Sequence, residues 1–277
     1  MKLYYYKDPI GNFGDDLNPW LWSRLAPELF DDYDDDLMFV GIGTLINDWL
    51  PYSPRKVVFS SGVGYLEGPL PLIDESWKIY CVRGPLSAQT LGLRDDMAIT
   101  DGAALVRTIN IPKEPKLYSA SFMPHHRHCN MINWSLLCKT VRINYINPST
   151  GVDDILRDIQ RSKVVIAEAM HAAVVADALR IPWIPVKFYN HVLDFKWQDW
   201  CLSVGLKYKP VIPPPILRAK YAFRSARRLQ YALLVLVLKW LTLNVPPTLS
   251  ANSIIESVTG RLQERLEQLK SDYLRRC

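Results

Sequence analysis

The chain has 277 residues, of which 49% are hydrophobic and 22% charged, and its formal net charge at pH 7 is +5. This length suffices for two domains, and the composition is that of a folded globular protein, which excludes global disorder. The basic excess is concentrated between Arg218 and Trp240, so we expect an anionic surface as partner and no nucleic acid.

Cysteine spacing and the first residues bear on the cellular compartment. The five cysteines form no Cys-x-x-Cys pair, and Met1 leads directly into KLYYYK without the apolar core of a signal peptide. No uninterrupted apolar run reaches the length of about 18 residues that a transmembrane helix needs. We therefore expect reduced thiols, a cytoplasmic location and no membrane span.

Strand-like and helix-like segments alternate before residue 110. Strands are predicted at 2–7, 37–42, 56–60 and 78–82, and helices at 16–26 and 85–91. Such alternation is typical of a parallel sheet covered by helices. The segment 109–115 contains two prolines and little periodicity, which predicts a domain junction there.

A second alternating unit follows this junction. Strands are predicted at 116–122, 140–146, 163–167 and 183–186, and helices at 153–160 and from 170 onward. We therefore predict an α/β fold with two Rossmann-like domains, 1–110 and 111–209, facing one another across a cleft. In such sheets ligands bind beyond the carboxyl ends of the strands.

Residues 210–277 are predicted to form a helical tail. The segment 221–240 is basic at its start and rich in Leu, Val and Trp afterwards, which is typical of a helix lying on a membrane surface. Packing on the protein's own core and binding to a partner protein are the alternatives. The final stretch repeats apolar residues at helical spacing, namely Ile255, Val258, Leu262, Leu266 and Leu269.

The loop after the first predicted strand, residues 11–16, combines glycines with adjacent carboxylates. Glycine lets the backbone approach a ligand closely. Asp15 would repel a phosphate but suits a sugar hydroxyl, as acceptor or as base; the alternative is that it caps the following helix. Asn12 in this loop and Gly43 after the second strand are further candidates for substrate binding.

Two later positions offer positive charge. Arg83 precedes the helix that starts at Pro85, where free backbone N–H groups would help it to bind a phosphate or carboxylate; a surface salt bridge is the alternative. His125, His126 and Arg127 follow a predicted strand and would form an anion pocket, unless they lie in a solvated loop. Their spacing matches no standard zinc site, so we expect no metal.

His171 lies between a β-branched strand and a helix rich in small residues, three residues after Glu168. An unperturbed imidazole has a pKa of about 6.5 and suits general acid and base catalysis. The alternative is a histidine of the buried core.

Seven stretches, in order over about residues 10 to 190, resemble the polysaccharide pyruvyl transferase family, and especially its exopolysaccharide ketal-pyruvyltransferase members. They are GNFGDDLN (11–18), GIGTL (41–45), SSGVGY (60–65), VRGPLSAQTLGL (82–93), TDGAAL (100–105), SFMPHH (121–126) and EAMHAAVVADALRIPW (168–183). The residues beyond Lys209 lie outside this resemblance.

The resemblance implies a fold similar to GT-B glycosyltransferases, phosphoenolpyruvate as donor, a sugar as acceptor and no further cofactor. Such enzymes join pyruvate to two hydroxyls of a terminal hexose as a cyclic ketal and release phosphate. His171 matches the family's general acid/base. Many relatives have arginine two residues before this histidine, where this chain has Ala169. We therefore expect the donor's anionic groups to be bound elsewhere, by Arg83, His125, His126, Arg127 and Lys187.

The expected chemistry assigns a role to each group. His171 would protonate the donor's methylene carbon, and Asp15 or Glu168 would take the proton of the attacking hydroxyl. A lipid-linked oligosaccharide acceptor would explain a basic, apolar tail at the inner face of the membrane.

Two other functions remain open from the sequence. A GT-B glycosyltransferase using a nucleotide sugar would share the two-domain fold. A non-catalytic glycan-binding or assembly protein, held at the membrane by its tail, would not need His171.

Overall fold

The computed structural model describes residues 1–30, 34–64, 68–190, 192–214 and 224–274. The first of its two sheets consists of β1 (Lys2–Tyr4), β2 (Leu37–Val40), β3 (Arg55–Ser61) and β4 (Trp77–Val82), in that order and all parallel. Helices α1 (Phe13–Leu25) and α2 (Pro85–Thr90) and a 3-10 helix, Gly102–Thr108, accompany it. The continuously buried runs of β2 and β3 fit a sheet that is covered on both faces.

The second sheet is also parallel and has the order β6-β5-β7-β8. Its strands are β5 (Ser121–Met123), β6 (Asn144–Tyr145), β7 (Val165–Ala167) and β8 (Trp183–Pro185), with helices α3 (Trp134–Val141), α4 (Val152–Arg161), α5 (Met170–Ala178) and α6 (Asp194–Ser203). The α/β class is confirmed. The division into two GT-B-like Rossmann domains at residue 110 stays a prediction.

Several elements differ from the sequence prediction. Helix α1 begins at Phe13 instead of residue 16, and β5 begins at Ser121 instead of residue 116. Helices α3 and α6 were not predicted. The region of α3 leads into a β-branched run, which the sequence analysis assigned wholly to a strand at 140–146, although only Asn144–Tyr145 is extended.

One hydrophobic cluster joins both sheets. Phe59 of β3 and Val165 of β7 belong to it, together with Leu105 of the 3-10 helix and Ala173 of α5. Helix α5 packs directly against this 3-10 helix. The small side chains of α5 permit that close approach, so the first and second sheets are fixed around a shared core.

Helix α8 (Asn252–Leu274) folds back onto the chain. It packs against β4 and the 3-10 helix Gly102–Thr108, so it covers the unit formed by the first sheet. All five apolar residues that predicted this helix are buried: Ile255, Val258, Leu262, Leu266 and Leu269. The helical period of the final stretch is confirmed.

Helix α7 (Arg224–Asn244) packs one face on the second sheet's unit. Leu234, Leu238 and Leu241 are buried in a cluster with Phe122 and Trp134. The opposite face exposes a stripe of large apolar side chains, Leu229, Leu236, Trp240 and Leu243. The predicted start of this helix at Tyr221, and the basic residues Arg218 and Lys220, lie outside the described residues. No helix in the described ranges has the length and apolar character needed to cross a bilayer.

Candidate active site

A cavity of about 350 Å³ opens where the two sheets face each other. Its walls are the loops that follow β1, β2, β5 and β7, so all of them lie at the carboxyl ends of parallel strands, where ligands bind in such sheets. The lining includes seven predicted site residues: Asn12, Asp15, Gly43, His125, His126, Arg127 and His171.

Asp15 lies in the first turn of α1 and lines the cavity. Asn12 is the N-cap residue of that helix, so the alternative of Asp15 as its cap is wrong. The Asn12 side-chain amide donates a hydrogen bond to Asp15 Oδ2. Burial raises the pKa of Asp15 to about 6, against the opposing effects of His171 and Asn12. The carboxyl group can therefore exchange a proton near neutral pH.

His171 is the second residue of α5 and lies at the cavity floor, with 15% of its side chain exposed. Its Nε2 is buried and lies 3.6 Å from Oδ2 of Asp101. The other ring nitrogen, Nδ1, lies against Gly14, where a β-carbon would overlap the ring. The ring is thus held between the start of α1 and the start of the 3-10 helix Gly102–Thr108.

Asp101 was not among the predicted site residues, although it lies in the TDGAAL stretch. It is fully buried and caps the 3-10 helix through a hydrogen bond from Ala103 N to Oδ1. Burial alone would raise its pKa, but His171, the Ala103 amide and Arg83 outweigh burial and lower the pKa. Asp101 is therefore a buried carboxylate anion beside the imidazole.

The second sheet's unit supplies the basic wall of the cavity. His125, His126 and Arg127 follow β5 as predicted. Burial lowers the pKa of His126 to about 4, partly offset by Asp8, whose Oδ2 lies 3.5 Å from His126 Nε2. The His126 ring is neutral at pH 7 and acts as a hydrogen-bonding group, so the positive charge in this wall comes from elsewhere.

Lys196 provides part of that charge and was missed by the sequence analysis. It lies in the first turn of α6, lines the cavity and is 8% exposed. Its charge lowers the pKa of Asp15 and of His126, after the larger effects named above. With Arg127 it provides two cations in the lining, and both act on His126.

The first sheet's unit lines the mouth of the cavity with aromatic and amide side chains. Tyr4, Tyr6, Asn47 and Trp49 are all part of the lining. Tyr6 and Trp49 are more than half exposed. Flat aromatic faces beside hydrogen-bonding groups suit an amphipathic ligand such as a pyranose ring.

Arg83 is not among the residues that line the cavity, so the expectation that it binds the donor stays a prediction. It is fully buried, and its Nε donates to Asp199 Oδ2 at 3.0 Å. Its Nη1 donates to Thr44 Oγ1 and its Nη2 to the Val63 carbonyl oxygen. The alternative of a surface salt bridge is wrong, because the pair is inside the protein, linking the end of β4 to α6.

Glu168 also lies away from the cavity lining, so its position does not fit a base that contacts substrate. Its carboxylate is fully buried and accepts hydrogen bonds from His125 N at 3.1 Å and Phe188 N at 2.9 Å. Its Oε2 also lies 2.7 Å from His128 Nδ1. Glu168 thus fixes the loop that carries the histidines.

The expected role of Lys187 in donor binding also stays a prediction. Its Nζ is paired with Asp194 Oδ1 at 2.7 Å, and it does not line the cavity.

Among the described residues, no three His, Cys, Asp or Glu side chains converge as metal ligands would.

Comparison with known proteins identifies the family to which this chain is related. Residues 2–187 match the family model described as polysaccharide pyruvyl transferase. The chain is also similar to the succinoglycan biosynthesis protein ExoV of Rhizobium meliloti (strain 1021). The two are 39% identical over 231 residues, which cover 82% of this chain and 72% of that protein.

Proposed function

Because this chain belongs to the polysaccharide pyruvyl transferase family, we propose that it transfers pyruvate from phosphoenolpyruvate to two hydroxyls of a terminal hexose. The acceptor in this proposal is a lipid-linked exopolysaccharide repeat unit, and the products are a cyclic ketal and phosphate. Family membership itself makes the protein a transferase of polysaccharide synthesis, and it favours pyruvyl transfer over both a nucleotide-sugar glycosyltransferase and a non-catalytic assembly protein.

The arrangement of charge in the cavity is the observation that carries the proposal. Arg127 and Lys196 come from the second sheet's unit and suit the phosphate and carboxylate of phosphoenolpyruvate. Asn12 and Asp15 come from the first sheet's unit, as do the aromatic side chains of the lining, and suit a sugar. His171 lines the same cavity, and its charge acts on Asp15, so it is near the proposed base.

The reaction needs two additions to the donor's C2. In the first, the His171 imidazolium gives a proton to the methylene carbon, a sugar hydroxyl oxygen bonds to C2, and the hydroxyl proton passes to the Asp15 carboxylate. In the second, the neighbouring hydroxyl oxygen bonds to C2 as the C2–O bond to phosphate breaks. Its proton returns to the neutral His171. The proton held by Asp15 passes to the departing phosphate, which leaves as hydrogen phosphate and is stabilised by the cations of the basic wall.

Calorimetric binding of phosphoenolpyruvate tests the donor. We expect the protein to bind it, and Arg127→Ala to weaken binding about tenfold or more, because hydrogen bonds to charged groups contribute about 1.5–3 kcal/mol. Lys187→Ala is the matched control, since this lysine lies outside the cavity, and it should bind as the wild type does. Binding of UDP or GDP without phosphoenolpyruvate would instead indicate a glycosyltransferase.

Turnover is tested by phosphate release together with the mass of the glycan product. His171→Gln should retain phosphoenolpyruvate binding and lose ketal formation, because it removes the proton donor and leaves the basic wall intact. An unchanged rate in this variant would contradict the assigned chemistry.

We also propose that α7 holds the protein on the inner face of the membrane, near a lipid-linked acceptor. The exposed residues of its stripe are separated by seven, four and three positions, so they share one helical face. Arg228 and Lys239 are exposed on the same helix and suit anionic lipid headgroups. The buried face of α7 is occupied by the protein's own core, so this exposed stripe is free to meet a bilayer.

Vesicle co-sedimentation tests the membrane proposal. We expect binding to vesicles that contain anionic lipid and weaker binding to neutral ones. Leu236→Asn with Trp240→Asn should reduce binding to the anionic vesicles severalfold. Leu72→Asn removes a leucine that is even more exposed, on another surface, and should change nothing. Equal binding by all three proteins would contradict the assignment to α7.

A further inference from the structure

The two oxygens of the Asp101 carboxylate have different surroundings. Oδ1 accepts the hydrogen bond from Ala103 N at 3.0 Å that starts the 3-10 helix. Oδ2 is buried and has no hydrogen-bond partner among the described residues. A fully buried carboxylate oxygen without a partner costs free energy, so its position calls for a positive or hydrogen-bonding group nearby.

His171 is the group that faces this oxygen. Its Nε2 lies 3.6 Å from Asp101 Oδ2 and is likewise buried without a hydrogen-bond partner in the described structure. The two unsatisfied atoms point at each other at a distance slightly longer than a hydrogen bond. In the absence of substrate, such catalytic contacts are often long and tighten in the reacting complex.

The other charged groups near His171 lie on separate elements. Asp15 lies on α1 and feels the charges of His171 and of Lys196 on α6, whereas Arg83, after β4, acts on Asp101. On the side of Nδ1, the backbone of Gly14 is in contact with the ring and presents no side chain. Nε2 is therefore the ring nitrogen that lies near Asp101, and Nδ1 is the ring nitrogen beside the start of α1.

We infer that Asp101 is the positioning residue for His171: it holds the proton on Nε2 and leaves Nδ1 to exchange protons with the substrate. This inference rests on the proposed role of His171 as acid/base. Asp101 does not contact substrate. It acts by fixing the orientation of the ring and by stabilising the imidazolium form.

The proton balance assigns each nitrogen one task. The imidazolium carries one proton on Nε2, directed at Asp101, and one on Nδ1, directed at the donor. Transfer of the Nδ1 proton to the donor's methylene carbon leaves a neutral ring that keeps its Nε2 proton. The free lone pair on Nδ1 then accepts the proton of the second sugar hydroxyl, and the imidazolium is restored.

Nitrogen NMR of the free protein tests the inference without relying on activity. The chain has five histidines, so His171→Gln identifies the signals of His171. We expect the neutral ring to carry its proton on Nε2. Asp101→Asn keeps an oxygen for the Ala103 amide, but its amide group can donate to Nε2, so the proton should shift toward Nδ1. A proton on Nδ1 in the wild type, or no shift in the variant, would overturn the inference.

Kinetics supply the second readout. Asp101→Asn should lower kcat by a factor of roughly 10²–10⁴, as loss of such a carboxylate does in comparable dyads, with little change in KM for phosphoenolpyruvate. Ser60→Ala is the control, because it removes a buried hydroxyl that packs against Gly102 without touching His171. A raised KM at unchanged kcat in Asp101→Asn would make it a binding residue and contradict the inference.

The two experiments separate this inference from the proposed function. The tautomer shift with no ketal formation by the wild type would support the positioning of His171 and overturn the proposed reaction. Ketal formation by the wild type, with an unchanged tautomer in Asp101→Asn, would support the proposed reaction and overturn the positioning of His171 by Asp101.

Discussion

At the scale of single residues, Gly14 and His171 depend on each other. A β-carbon at position 14 would overlap the imidazole, because Nδ1 lies against the glycine backbone. We expect Gly14→Ala to displace the ring and to lower turnover by about 10²-fold or more, the cost of misplacing a catalytic group by about 1 Å. Steady-state assays measure this loss, and thermal unfolding should show that the fold is retained.

Gly151→Ala is the matched control for this substitution. Gly151 precedes α4 with an ordinary negative φ of −59°, and a β-carbon there would meet only Asp154 Oδ2 at 3.8 Å. Activity within about twofold of the wild type is expected. Equal losses in both variants would mean that the contact between Gly14 and His171 is not the cause.

The Asp15 carboxylate is the proposed base, but its buried charge lowers the stability of the folded protein at neutral pH. Its pKa of about 6 in the folded protein lies above the ordinary value of 3.8 for an aspartate side chain. The native state therefore binds this proton more tightly than the unfolded state, and the group's contribution to stability is lost as pH rises from about 4 to about 6.

Asp15→Asn removes the buried charge. The free energy of unfolding at pH 7 should rise by roughly 1–3 kcal/mol, and the gain should vanish below about pH 4. Ketal formation should be lost because the base is absent. Urea unfolding at both pH values measures the effect, and a variant that is destabilised at pH 7 would contradict the burial argument.

At the scale of elements, α8 contributes its apolar face to the core of the first sheet's unit. Leu262 is fully buried there, so Leu262→Ala should lower the free energy of unfolding by about 2–5 kcal/mol. Gly260 lies two residues earlier in α8, and nothing is within 4 Å of the position its β-carbon would occupy. Gly260→Ala should therefore stabilise the protein by about 0.5–1 kcal/mol.

Denaturant unfolding of the two α8 variants measures both effects. If Leu262→Ala lowers the free energy of unfolding and Gly260→Ala raises it, packing of the helix, and not helix propensity alone, stabilises the protein. A small effect of Leu262→Ala would contradict the packing of α8 against the first sheet's unit.

Elements whose side chains follow a simple pattern of burial could be predicted from the sequence. The strands β2, β3, β4 and β7 are rich in apolar residues, and α8 repeats apolar residues at the helical period. Helix α6 has no such pattern, because Lys196 and Asp199 are buried beside Trp197 and Trp200. Polar residues whose partners lie far away in the sequence hide the amphipathic signal.

The same limit explains which site residues could be found. His171, Asp15 and the 125–127 loop lie in the connections or helix starts that come after strands, so the general rule for parallel sheets predicted their convergence. Lys196 and Asp101 could not be found in that way, since one lies in an unpredicted helix and the other begins a 3-10 helix. Arg83 follows a strand too, but its partner Asp199, distant in sequence, turns it away from the cavity.

At the scale of the whole molecule, the ion pair between Arg83 and Asp199 joins the end of the first sheet to the helix that carries Lys196. Both side chains are fully buried. Arg83→Met should lower the free energy of unfolding by about 3–5 kcal/mol, because it leaves the Asp199 charge buried without its partner. Adding Asp199→Asn should recover part of this loss, since the amide keeps an oxygen for Ser87 N but carries no charge.

A double-mutant cycle measured by denaturant unfolding gives the coupling of this pair. Phosphoenolpyruvate affinity of the folded Arg83→Met variant should stay near that of the wild type. Weaker donor binding with unchanged stability would instead return Arg83 to the role that the sequence analysis assigned to it.

The return of α8 to the first sheet's unit has a consequence for the protein's synthesis. Chains fold from the amino terminus as they leave the ribosome, and most domains complete themselves in that order. Here the first unit lacks part of its core until residues 252–274 have emerged, after the whole second unit. Until then, the apolar surface of the first unit that α8 covers stays exposed on the nascent chain.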